Sequence, residues 1–132
     1  MPELLELTGT EALYRPEAMA CPVPYSAVNE LGTRLGVEAS MILDLIGIPE
    51  RTQSRRRREG FLKADEADRL RRIARVFEEA VRVFGASEKA ASWLKTPSPV
   101  FGNVIPLRFL DTDAGAHLVS EEIIRIDFGD FA

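Results

Sequence analysis

A chain of 132 residues with 45% apolar content can fill one packed interior, or two small units that share one. No run approaches the roughly 18 apolar residues of a membrane span. The single cysteine, Cys21, excludes an internal disulfide and a cysteine-built zinc site. The net charge of −4 conceals a segregation: Arg51 to Arg75 holds ten basic residues against four acidic ones, +6, which leaves −10 for the remainder. Asp111 to Asp130 carries six acids and one arginine. Four consecutive arginines at 55–58 point to a basic face for a polyanion, and the acidic end to a different partner.

Residues 1–25, punctuated by Pro2, Pro16, Pro22 and Pro24, read as a loose arm whose last part, Cys21 to Tyr25, is extended against the first stable helix. Cys21 has no nearby base or cation in sequence and reads as a buried, inert thiol. Met1 to Glu6 contains no lysine or arginine, so no export signal is expected and a reducing cytoplasm is the expected compartment.

Regular structure is expected from Ser26, which can cap a helix with Val28, Leu31 and Leu35 on its inner face and Gly36 as its stop. A second helix, Glu38 to Ile46, turns in Met41, Ile42 and Leu45 and ends at Gly47; Pro49 suits the first turn of a third, Glu50 to Arg58. Two short helices joined through a glycine, then a basic helix, outline a helix-turn-helix over residues 26–62. Arg51, Ser54, Arg55, Arg56 and Arg58 are the candidate DNA contacts, with Gln53 on the same early exposed part. Measured from Gly47, the motif asks for a small residue at 43 and an apolar one at 53, where this chain has Leu43 and Gln53.

The longest element is predicted from Asp65, its N-cap, to Phe84. Leu70, Ile73, Phe77, Ala80 and Phe84 lie along one stripe. Asp65 with Arg69, Asp68 with Arg72 and Glu78 with Arg82 are spaced as i, i+4 ion pairs. After Gly85, a short helix capped by Ser87 places Ala90, Trp93 and Leu94 on one face, and Thr96-Pro97 ends it. From Pro97 to Pro106 there are too many breakers for a strand. Ser98, Val100, Phe101 and Asn103 therefore face the surface at least in part, with Val100 and Phe101 open to either an inward or a partner-facing role. A last helix, Asp113 to Ile126, keeps Ala116, Val119, Ile123 and Ile126 at helical spacing. The tail, with Phe128 and Phe131, is either a clamp on the core or an exposed patch. The fold class expected is all-α: a helix-turn-helix-like subdomain (26–62) after the arm (1–25), then a C-terminal helical domain (63–132) begun by the long central helix. The core centres on Leu70, Ile73, Phe77, Trp93, Leu94, Val119 and Ile123.

Catalysis finds no support in the inventory. His117 is the only histidine, and with Glu121 at i+4 it makes no metal site of useful specificity. The glycines are isolated punctuators and form no phosphate-binding loop. No catalytic residue, metal or cofactor is expected.

Asp68-Arg69-Leu70-Arg71-Arg72 in the long helix, then Ala90-x-x-Trp93-Leu94-x-x-Pro97, Gly102, Pro106-Leu107, Thr112, Gly115-Ala116, Val119, Ile126 and Gly129, resemble the Xre/MbcA/ParS-type antitoxin family. Ile48-Pro49-x-Arg51-Thr52-x-x-Arg55-Arg56 is similar to the stretch that leads into that family's long helix. Three departures stand out: Gln53 for a usual leucine, Asn103 for a second glycine, and Asp127-Phe128-Gly129-Asp130 for a Glu-His-Gly ending. The resemblance implies a bacterial type II antitoxin whose C-terminal domain covers the NAD cleft of a RES-domain toxin, and whose N-terminal helices repress its own operon. The expected partners are that toxin, promoter DNA and a second copy of the chain, with no membrane. The competing expectation is a stand-alone DNA-binding regulator. Val100, Phe101, Asn103, Glu121, Arg125, Phe128, Asp130 and Phe131 are the candidate toxin contacts.

Overall fold

The computed structural model describes Leu13 and residues 22–129. The expectations placed on Cys21, Asp130 and Phe131 lie outside the described residues. Within residues 22–129 six α-helices follow in order: α1 Ser26–Leu35, α2 Ala39–Leu45, α3 Glu50–Glu59, α4 Ala64–Phe84, α5 Ser87–Leu94 and α6 Asp113–Asp127. Two 3-10 segments, Pro99–Phe101 and Pro106–Asp111, occupy the proline-rich stretch before α6. No strand forms among the described residues, only isolated bridges between Pro24 and Phe61 and between Ser98 and Val104. The protein is all-α, as its periodicities predict.

The spine is α4, in which Leu70, Ile73, Phe77 and Ala80 are fully buried. Against it pack α5, α6 and the 106–111 segment, while α1 lies on α2 and α5. One continuous core results, running from Val28 and Leu31 in α1 through Phe77 to Leu107, Val119 and Ile123. Trp93 is a correction: it is only half-buried, because it sits at the edge of the core between Phe84 and Phe101, with ring centroids 5.5 and 6.5 Å away. Residues 22–25 run up to the start of α1. They pair with the α3–α4 connection through Tyr25 N–H to Gly60 O and Leu62 N–H to Val23 O, both 2.9 Å.

The three expected side-chain caps are not made. Helices α1, α4 and α5 begin at Ser26, Ala64 and Ser87, so the cap positions fall to Tyr25, Lys63 and Ala86, and no side chain caps them. On α4 the first turn is closed from the other side, by Glu66 accepting the Lys63 N–H at 2.9 Å. The side-chain cap that does form is Thr112, whose Oγ1 accepts the Gly115 N–H at 3.0 Å at the start of α6. Of the expected ion pairs only Asp65–Arg69 is made as drawn, at 3.3 Å. Arg72 instead reaches Asp113 at 2.7 Å and the Leu110 carbonyl at 3.2 Å, and Arg82 reaches Asp127 at 3.6 Å. Glu78 pairs with Arg34 at 2.7 Å, where the guanidinium also lies 4.7 Å from the centre of the Phe77 ring.

Candidate functional site

Two surfaces that share no residue collect the candidate residues. The first is α3, the least apolar helix of the chain, with a single buried residue. Arg51, Ser54, Arg55, Arg57 and Arg58 are exposed along it. Arg56 is not, and this corrects its assignment as a DNA contact. Its guanidinium grips the Glu66 carboxylate with Nε and Nη2, each at 2.8 Å, and donates from Nη1 to Glu59 at 2.6 Å. The hydrogen bond to Glu66 is the main reason its pKa lies above the ordinary guanidinium value, with burial opposing. For Glu66 burial is the largest influence and pushes upward. The Arg56 guanidinium and the Lys63 N–H outweigh it and hold the carboxyl below its ordinary value.

Gly36 and Gly47 both adopt left-handed backbone, with φ of 73° and 82°. Only at the first does the spacing of small, glycine and apolar residues hold, as Gly32, Gly36 and Ile42. A Cβ on Gly32 would stand 3.0 Å from the Val37 carbonyl oxygen in the turn and at an ordinary 3.8 Å from Ile42 Cγ1 of the next helix, so it is the turn that presses on this position. At the second turn Leu43 is buried in the core, and Gln53 donates from Nε2 to the Ile48 carbonyl at 3.2 Å. The closely packed pair is therefore α1–α2, while the positive charge sits on α3.

The second surface is a groove of about 740 Å³ between α6 and the loop before it. Val100, Phe101 and Phe109 form one side, and Leu118, Glu121, Glu122, Ile124 and Arg125 the other. The loop is held rigid by Ser98: its carbonyl accepts the N–H groups of Phe101 and Asn103 at 3.0 and 2.8 Å, and its Oγ accepts that of Val100 at 3.2 Å. Asn103 occupies left-handed backbone with φ of 65°, a position where glycine is the unstrained choice. The α6 helix is apolar on two faces. Ala116, Val119 and Ile123 are buried against the core, yet Leu118 and Ile124 on the other side remain 50% and 49% exposed.

The groove brings together four of the sequence-selected residues, Val100, Phe101, Glu121 and Arg125. Phe101 is only 7% exposed, wedged 5.0 Å from the Phe109 ring, so it floors the groove and offers a partner little more than an edge. Arg125 is paired with Glu122 one turn before it, and Glu121 lies 3.3 Å from His117. Asn103 and Phe128 are exposed outside the groove, Phe128 to 81%. Phe109, Leu118 and Ile124 escaped the sequence reading, although Leu118 and Ile124 break the one-faced pattern of α6. No cluster of metal-ligating side chains occurs among the described residues.

A glycine-turned helix pair beside a basic helix, joined to a helical unit that exposes an apolar groove, defines a helix-turn-helix protein with a second binding end. Residues 22–75 match the Antitoxin Xre-like helix-turn-helix domain, and residues 79–129 the Antitoxin Xre/MbcA/ParS C-terminal toxin-binding domain. The chain belongs to the Xre/MbcA/ParS antitoxin family. An Antitoxin Xre of Photorhabdus laumondii is 43% identical over 90 residues, covering 67% of this chain and 61% of that protein. One of Pseudomonas putida is 39% identical over 103 residues, covering 77% and 62%. A Prs ADP-ribosylating antitoxin of a Sphingobium species is 43% identical over 49 residues, covering 37% and 31%. The chain thus spans about three fifths of the length of the Antitoxin Xre relatives. Membership, and no missing catalytic group, answers the enzymatic question: this is a family of antitoxins and not of enzymes. No helix among the described residues is long and apolar enough to cross a membrane.

Proposed function

We propose that the chain is the antitoxin of a type II pair, neutralising a RES-domain toxin by lodging its C-terminal end over the toxin's NAD cleft and repressing its own operon through α3. The observation that carries the reading is the groove of Val100, Phe109, Leu118 and Ile124, inside the segment that matches a toxin-binding domain. A helix apolar on two faces needs two partners, and the core supplies only one. Glu121 and Glu122 put negative charge in the wall of the groove, complementary to a cleft that binds a pyrophosphate. A relative named as an antitoxin of ADP-ribosylation agrees with a NAD-consuming target. Residues 26–62 form the DNA-facing unit in this reading and 63–132 the toxin-facing one, with two copies meeting on a two-fold operator.

Co-expression with the product of the adjacent reading frame tests it. Growth arrest by that product alone, relieved by this chain, with NAD levels restored in the rescued cells, is the expected result. A neighbour that is harmless, or toxic without touching NAD, would overturn the assignment of the partner.

A further inference from the structure

The arginine that α3 turns inward does more than fill space. We propose that Arg56 and Glu66 form a clasp that positions α3 for DNA, so that an acidic residue is required for binding a polyanion. The inference rests on the reading of α3 as the DNA-facing helix. Every other α-helix within residues 22–129 is seated by apolar side chains, whereas α3 buries Arg56 alone. Arg56 and Glu66 are the two buried charged side chains among the described residues. Their contact is bidentate, with both bonds at 2.8 Å, which fixes the plane of the guanidinium and hence the roll of α3, not merely its distance from α4. Glu66 is itself held by the Lys63 N–H, so the clasp is anchored in the first turn of the longest helix. With Arg56 seated there, Arg55 and Arg58 are left outward.

Ordinary electrostatics predicts the opposite consequence for the same substitution. Removing a carboxylate near a polyanion relieves repulsion and tightens binding. The clasp predicts that Glu66→Gln loosens it. The experiment measures binding of the full chain to a labelled duplex from upstream of its own reading frame, by fluorescence anisotropy at several salt concentrations. Glu66→Gln and Arg56→Lys should each lose at least tenfold in affinity. The paired change Arg56→Met with Glu66→Leu replaces the clasp with an apolar contact of similar size and should come back to within a few-fold of wild type. Fluorescence of Trp93, in α5, reports on each variant whether the C-terminal half stays folded.

Glu66→Gln binding as tightly as wild type, or more tightly, overturns the clasp and leaves the reading of α3 intact. A loss in the Met/Leu pair as deep as in Glu66→Gln, with the Trp93 signal unchanged, gives Arg56 a direct charge role and also overturns it. Wild-type protein that shows no salt-dependent binding to the duplex removes the DNA-facing reading itself, and the positioning role with it.

Discussion

At Gly115 the start of α6 crosses the end of the 106–111 segment so closely that a Cβ would stand 2.0 Å from the Phe109 carbonyl oxygen and 2.9 Å from its carbon. Both neighbours are backbone and cannot swing aside, so Gly115→Ala should destabilise by at least the ~1–3 kcal/mol typical of overpacking. Gly102, with nothing within 4 Å of its Cβ position, serves as the control for backbone strain alone. Urea unfolding of the two variants measures the difference, and equal midpoints would mean the crossing relaxes freely. Glu66 gives a pH prediction. Its folded pKa lies below the ordinary 4.5, so its ionised form contributes stability above that pH, and the contribution is lost as pH falls through the folded value. The stability gap between wild type and Glu66→Gln should therefore be full at pH 7 and shrink below 4.5; a gap unchanged at pH 3 would contradict the assignment. Gly115 stood out in the sequence only as part of a family pattern, and the contact that makes each residue special was not legible. Gly115 depends on a backbone six residues back, and the Arg56–Glu66 pair crosses between two helices.

The elements themselves were legible, because the period of buried apolar residues on α1, α4 and α6 is set by helix geometry alone. Phe77, fully buried at the centre of α4, should cost ~3–5 kcal/mol when changed to alanine, read by thermal or urea unfolding. A variant that melts with wild type would displace α4 as the spine. Caps and ion pairs were less legible for one shared reason. Exposed helix ends can satisfy their N–H groups with water, and long charged side chains choose tertiary partners such as Asp113 over local ones such as Asp68. On α3 the exposed arginines carry the test. Arg55→Ala with Arg58→Ala should weaken promoter binding and lower the slope of log affinity against log salt by roughly one unit per lost phosphate contact. An unchanged slope would leave these arginines as solvated surface.

Charge segregation, visible in the sequence, is a property of the whole molecule: the arginines gather on α3, and the groove is built by other elements. The groove as a shape was not legible, since Phe109 comes from the segment before α6 and meets Leu118 and Ile124 only after that crossing forms. Surfaces that share no side chains should be separable. Leu118→Lys places a charge in the groove without touching the core and should abolish protection against the toxin. Promoter affinity should stay within about twofold, the size of effect expected of independent sites. Loss of both activities would show a disrupted fold, and full protection would move the docking surface to Phe128 and the tail. The way α3 is attached has a further consequence, for the order in which the activities are lost on heating. A helix seated by one ion pair, with no apolar face of its own, can detach while the core around Phe77 stays intact. Its backbone amides should exchange with deuterium through such partial openings, long before those of α4. A culture warmed toward the protein's limit would then lose repression first and raise antitoxin synthesis while the remaining molecules still hold their toxin.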